Sequence, residues 1–261
     1  MSSSSPEREN RGIREKVAGF LLGIAFLTRL PVPRFVHLSG FPLRITPATL
    51  LVAGLLLGSL LALLSWTFFR FLPSLPLPID TLLLLGVWVA FTGGIHLDGV
   101  ADTLECAYAP VSRDEKRRIR KDPRKGVFGI LALIFFVLAK GTGIFLAHPR
   151  LPALFLAPVL SRSFLPLVAR LLSGKFPVVE GGLAQSFLEG GGGSSFAFCG
   201  LGVLGALLVG GERLFAGAGV VFLGMILLGR HVLPKVDGFS GDVAGFLVES
   251  GEILLILALS L

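Results

Sequence analysis

The chain is a succession of long apolar runs separated by short polar ones. Seven runs come near the ~20 residues that an α-helix needs to cross a bilayer. They are Ala48–Leu72, Ile79–Ile95, Val127–Ala147, Leu151–Leu172, Ser195–Val209, Leu214–Leu228 and Val243–Leu261. Hydrocarbon offers the backbone no hydrogen-bond partners, so each run is predicted to be helical. Two of them, Ser195–Val209 and Leu214–Leu228, are short and rich in glycine. Gly202, Gly205, Gly217 and Gly219 are the positions where helices are expected to approach closely. Ahead of the seven lies a shorter apolar stretch, Val17–Leu30, stopped by Pro31 and Pro33. It is read as an interfacial or half-inserted helix. No small-x-small site follows it, so it is not read as a cleaved signal. Met1–Lys16, rich in Ser and charge, is read as a disordered tail. The expected fold is therefore all-α: a polytopic transmembrane bundle, forming a single domain over residues 17–261, without internal repeats.

Composition strengthens this picture. The chain has 261 residues, of which 53% are hydrophobic and 16% charged; soluble domains carry about 25% charged residues. The mean hydropathy of +0.81 excludes a disordered chain, and no Gly-X-Y period suggests collagen. A net charge of +7 would point to nucleic acid in a soluble protein. Here Lys and Arg act as orientation charges instead, and no nucleic-acid partner is expected. Arg113, Lys116, Arg117, Arg118, Arg120, Lys121, Arg124 and Lys125 fall in one connection, eight of the 24 basic residues, which places that loop in the cytoplasm. Alternation then puts Gly40–Pro47, Ser173–Ser194 and Arg230–Gly241 on the same side. Pro73–Pro78, His148–Arg150 and Gly210–Arg213 fall on the other. Cys106 and Cys199 have neither redox nor zinc spacing and are expected to be small apolar fillers. His37, His148 and His231 lack ligand spacing and receive no role.

Three polar clusters carry candidate chemistry, all on the cytoplasmic side. In Gly93-Gly94-Ile95-His96-Leu97-Asp98-Gly99-Val100-Ala101-Asp102-Thr103-Leu104-Glu105, a continuing helix would place Asp98, Asp102 and Glu105 on one face. Three such carboxylates repel unless a cation sits between them, and hard oxygen donors suit Mg²⁺ or Mn²⁺ shared with substrate phosphates. In Arg120-Lys121-Asp122-Pro123-Arg124-Lys125-Gly126-Val127-Phe128-Gly129, basic residues precede a helix N-terminus, an arrangement that binds anions. Asp122, Arg124 and Gly126 are the candidates there. In Asp237-Gly238-Phe239-Ser240-Gly241-Asp242, the glycine-flanked Asp242 is either a helix cap or an active carboxylate. Further along the same run, Glu249 and Glu252 lie within apolar sequence. They either pair with Lys140 or Arg162, the available intramembrane cations, or mark a transport route.

These strings, together with Phe26-Leu27-Thr28-Arg29-Leu30-Pro31-Val32-Pro33, resemble in order and spacing the cobalamin synthase family, adenosylcobinamide-GDP ribazoletransferases. The resemblance covers about residues 17–261, and His96-Leu97-Asp98-Gly99-Val100-Ala101-Asp102 is its most specific part. It implies a multi-pass, Mg²⁺-dependent enzyme of the inner cell membrane with a cytoplasmic active site. Its partners would be adenosylcobinamide-GDP and α-ribazole or its 5′-phosphate, joined with release of GMP; the oligomeric state is left open. It further implies that Asp98 and Asp102, with Glu105, hold the metal. Asp122, Arg124, Gly126, Gly241 and Arg29 would contact substrate, and His96 or Asp242 would take the ribazole hydroxyl proton. Three positions depart from the family pattern: Glu105 replaces an Asp, Pro123 a Ser, and Asp237 a Gly. Two rivals fit less well. A CDP-alcohol phosphotransferase needs Asp-Gly-x-x-Ala-Arg, whereas Asp102 directly follows Ala101 here. A transporter would account for the intramembrane charges but not for the cytoplasmic cluster.

Overall fold

Bilayer-length apolar runs become helices in the computed structural model, which describes residues 6–33, 36, 43–109, 126–179, 183–188 and 192–260. In chain order these are α1 (Pro6–Thr28), α2 (Pro47–Phe71), α3 (Leu77–Thr92), α4 (Ile95–Tyr108), α5 (Val127–Leu146), α6 (Arg150–Ser173), the short α7 (Leu183–Leu188), α8 (Gly192–Val232) and α9 (Gly241–Ala258). Among the described residues there is no strand, only an isolated bridge between Val178 and Phe239.

Among the described residues, four helical stretches are long and apolar enough to cross a membrane: Pro47–Phe71, Val127–Leu146, Arg150–Ser173 and Gly211–Lys235. A fifth is added if α3 and α4, bent by 85° at Gly93 and Gly94, form one broken span. The expected seven runs are thus all helical but not equivalent. Gly193–Val209 is a shorter apolar helix. It joins the next run within α8, with non-helical backbone at Gly211 (φ 61°, ψ −149°). The last run, α9, carries Asp242, Glu249 and Glu252 and is buried along most of its length. It packs against α4, α5, α6 and α8, which shield its carboxylates from lipid. The bundle is layered: 83% of the apolar stretch of α6 is buried, against 28% for α5, so α6 is a central helix and α5 a peripheral one. Exposed Leu82, Phe135 and Leu208 lie on the outer surface, where a bilayer would cover them.

Glycines set the closest crossing. A Cβ on Gly54 would lie 2.7 Å from the Pro158 carbonyl oxygen, and one on Gly58 would lie 2.3 Å from that of Phe155. The Gly54-x-x-x-Gly58 pair thus brings the backbones of α2 and α6 into contact. Of the four glycines expected at crossings, Gly202 abuts Ser163 and Gly217 abuts Leu255, while Gly205 and Gly219 face open space.

The N-terminal segment also differs from expectation. Helix α1 starts at Pro6, so residues 6–16, read as tail, are helical. The helix ends before the prolines, where Arg29 adopts a left-handed conformation with φ 53°.

Connections sort into two sets bonded within themselves. On one side Arg150 forms a two-point ion pair with Asp80 (2.8 and 3.0 Å), and the His148 amide donates to the Leu259 carbonyl. On the other, Arg44 pairs with Glu15, Ser186 donates to the Ile45 carbonyl, and Tyr108 bonds His231. The basic loop, residues 110–125, lies outside the described residues.

Candidate functional site

The site is built on the break between α3 and α4. Two consecutive left-handed glycines, Gly93 (φ 62°) and Gly94 (φ 69°), end α3 and start α4. Only glycine takes this conformation without strain. The helix that was expected to continue therefore turns, and the N-terminus of α4 opens into a cavity. Arg29 folds across the turn; a Cβ on Gly93 would meet its Nε at 2.0 Å. A non-glycine residue with positive φ at such a place is a mark of function.

Asp98 and Asp102 follow one turn apart on α4, the first exposed and the second half-buried. The expected third carboxylate, Glu105, is turned to another use. It is 9% exposed, and its Oε2 accepts from the Gly129 amide at 2.7 Å. A Cβ on Gly126 would come within 2.2 Å of Oε1. Glu105 thus binds the uncapped N-terminus of α5, where a negative charge is favoured. Among the described residues no group of three or more His, Cys, Asp or Glu is placed to hold a metal. Of the three carboxylates expected at a metal, Glu105 is thus engaged at the N-terminus of α5, while Asp98 and Asp102 lie one turn apart on α4. Gly126, expected to contact substrate, instead leaves the space that Glu105 fills.

The N-terminus of α9 crosses α4 at two glycines. A Cβ on Gly99 would meet the Asp242 carbonyl oxygen at 2.7 Å, and one on Gly245 would meet the His96 Cα at 3.2 Å. Missing side chains thus bring Asp242 next to the Asp98 turn. The cap of α9 is Ser240, whose Oγ accepts from the Val243 amide at 3.3 Å. Asp242, expected as cap or active carboxylate, stands half-buried in the first turn.

Two cavities meet at Asp98. The larger, of about 670 Å³, is lined by Phe26, Arg29, Gly93, Leu97, Asp98 and Leu133 among others. The smaller, of about 140 Å³, is lined by His96, Asp98, Leu165, Ala184, Gly241 and Asp242 among others. Asp98, Asp242, Arg29 and Gly241 are therefore brought together, while Asp122 and Arg124 lie outside the described residues.

Deeper in the bundle lies a second set of charges. Lys140 contacts Glu249 and also Glu252, the latter at 2.5 Å. Arg162 donates to Glu252 Oε1 at 2.6 Å and to the Pro158 carbonyl at 3.2 Å. Lys140 also stands 4.5 Å from the centre of the Trp88 ring, a cation–π contact. Pairing of the glutamates with Lys140 was legible from sequence, because an unpaired charge in lipid is too costly to keep. The bond between Arg162 Nη2 and His96 Nδ1, at 3.3 Å, was not. A guanidinium only donates, so Nδ1 accepts and the ring proton resides on Nε2. In this tautomer the Nε2 of His96 is a hydrogen-bond donor. Cys106 is buried, as a small apolar filler would be, and Cys199 is half-buried. His231 stacks near Tyr108 and accepts from Lys235 at 2.7 Å.

The sequence profile of the cobalamin-5-phosphate synthase (CobS) family matches residues 19–260. Curated relatives share this similarity over nearly their full length. The adenosylcobinamide-GDP ribazoletransferase of Pseudomonas paraeruginosa (strain DSM 24068 / PA7) is 33% identical over 253 residues, 95% of this chain and 100% of the relative. That of Ectopseudomonas mendocina (strain ymp) is 34% identical, over 92% of this chain and 97% of the relative. That of Escherichia coli O45:K1 (strain S88 / ExPEC) is 33% identical, over 90% and 96%. No solved structure matches the chain.

Proposed function

The chain belongs to the cobalamin-5-phosphate synthase family, and from that premise we propose that it is a membrane-embedded adenosylcobinamide-GDP ribazoletransferase working from the cytoplasmic face. The observation that carries the reading is the meeting of Asp98, Asp242 and Arg29 around two joined cavities at helix N-termini. The ribazole hydroxyl attacks the cobinamide-linked phosphate. A phosphorus–oxygen bond forms to ribazole, the phosphoanhydride bond breaks, and GMP leaves. Phosphoryl transfer of this kind asks the protein mainly for positioning and charge neutralisation.

Asp98 and Asp102 suit Mg²⁺, which takes one or two carboxylates and completes its shell with water and substrate phosphate. A bound Mg²⁺ would neutralise charge on the diphosphate. Arg29 and the open N-terminus of α4 hold phosphate oxygens. Asp242, beside the α9 N-terminus, accepts the proton of the attacking hydroxyl. The buried Lys140, Arg162, Glu249 and Glu252 pair with one another, which removes the main support for a transport reading. Purified protein supplied with both substrates and Mg²⁺ is expected to release one GMP for each cobalamin product. Absence of GMP under those conditions would overturn the proposal.

A further inference from the structure

The two cavities that share Asp98 differ several-fold in size, and this difference sorts the two substrates. The smaller measures about 140 Å³. An apolar protein cavity of about 150 Å³ is known to admit benzene, so this space accepts one end of a small aromatic ring system and excludes a corrin macrocycle. The larger, at about 670 Å³, lies within the range of about 300–1,000 Å³ typical of small-molecule sites and is several times roomier.

Resting on the functional reading above, we propose that the smaller cavity is the pocket for the base of the acceptor nucleoside, the dimethylated benzimidazole ring of ribazole, and that the larger takes the diphosphate-linked corrinoid. The walls of the smaller cavity are mostly apolar: Leu27, Ile45, Leu50, Leu165 and Val248. Small side chains, Ala184 and Ala244, stand among its walls. Guanine, the other aromatic group among the substrates, carries more donors and acceptors than a dimethylated benzimidazole and so gains less from walls that are mostly apolar. A benzimidazole riboside presents no ring N–H and one acceptor nitrogen, and His96, its Nδ1 committed to Arg162, supplies one N–H from Nε2. Asp98 and Asp242 line the same cavity, so a nucleoside seated there carries its ribose toward the two carboxylates that the reaction requires. The cavity walls therefore set the choice of base.

The test is a size exchange read as a ratio of specificities. Ala184→Leu fills the smaller cavity. It is expected to raise KM for ribazole about tenfold, to leave KM for adenosylcobinamide-GDP within twofold, and to favour the unmethylated benzimidazole riboside; burial of each methyl is worth several-fold in affinity. Leu165→Ala, which widens the same cavity from another wall, is expected to shift preference toward a bulkier naphthimidazole riboside. Val137→Phe, in the larger cavity, is expected to raise KM for adenosylcobinamide-GDP alone. A merely destabilised protein moves none of these ratios. If wild-type protein releases no GMP from the two substrates, the functional reading fails and takes the inference with it. If wild type is active but Ala184→Leu acts on KM for adenosylcobinamide-GDP, or neither smaller-cavity variant changes the preference among bases, the inference alone is overturned.

Discussion

Helices α4 and α9 each carry ionisable residues in two settings. At the mouth of the bundle they present Asp98, Asp102 and Asp242; deeper in, His96, Glu249 and Glu252. Asp242 and Glu249 are separated by only two helical turns, about 10 Å along α9. Inside, every glutamate meets a cation, and the set of Lys140, Arg162, Glu249 and Glu252 sums to zero charge. At the mouth, acids gather beside Arg29 and open cavities. Burial explains the difference. In lipid a charge without its counter-charge costs more than the fold can supply, so the inner set holds helices together. Near water, like charges can be kept for a ligand to neutralise.

The contrast can be broken at either end. The largest effect is expected at Glu252→Gln, which leaves Lys140 and Arg162 facing a single remaining acid. Removing one partner of a buried pair costs about 3–5 kcal/mol. Thermal unfolding in detergent should show a marked loss of stability, and an unchanged melting temperature would mean that the inner set does not hold the bundle. Next, Asp98→Asn is expected to lower kcat by about 10²–10³, the scale on which a transition-state charge contact is lost. The exposed position should leave melting within about 0.5 kcal/mol of wild type. A variant that keeps near-normal turnover at limiting Mg²⁺ would remove Asp98 from the metal site.

A smaller effect is expected at Arg124, which lies outside the described residues. Arg124→Lys keeps charge but loses the planar fork that can bind two phosphate oxygens. The loss of a charge-assisted hydrogen bond predicts a drop of about 10- to 150-fold in kcat/KM. Arg117→Ala, read as an orientation charge only, should stay within about threefold. Equal losses at both positions would replace the specific clamp with a diffuse basic patch. The smallest effect on catalysis is expected at Glu105→Gln. It should cost about 1.5–3 kcal/mol of stability through the Gly129 contact, while activity per folded molecule stays within about threefold. A hundredfold loss of activity without loss of stability would restore Glu105 to the metal.

Much of the fold was legible because the bilayer imposes a length on each helix and denies it polar partners. Some of the site was legible for a related reason. His96, Asp98, Asp102 and Asp242 stand near the ends of apolar runs, Asp98 and Asp242 beside glycines, where polar residues have a use. Three features were not legible. Gly93-Gly94 is plain in the sequence, but one glycine pair reads equally as a helix interruption or as a close-packing face, and only the positive φ angles at both residues decide for a turn of 85°. Spacing places Glu105 on the stripe of Asp98 and Asp102, yet the uncapped N-terminus of α5 claims it. Ser240, not Asp242, caps α9, a choice made by hydroxyl geometry one turn away.

The sequence by itself determined the main apolar helices and the inventory of acids and bases, because hydropathy and run length are properties of contiguous residues. Only the tertiary structure decided that α9 is an inner helix, that Arg162 divides its bonds between Glu252 and His96, and that Asp98 lies where two cavities join. Those outcomes depend on which backbones can touch. Contact is permitted at Gly54, Gly58, Gly99 and Gly245 by the missing Cβ, against partners far away in the chain.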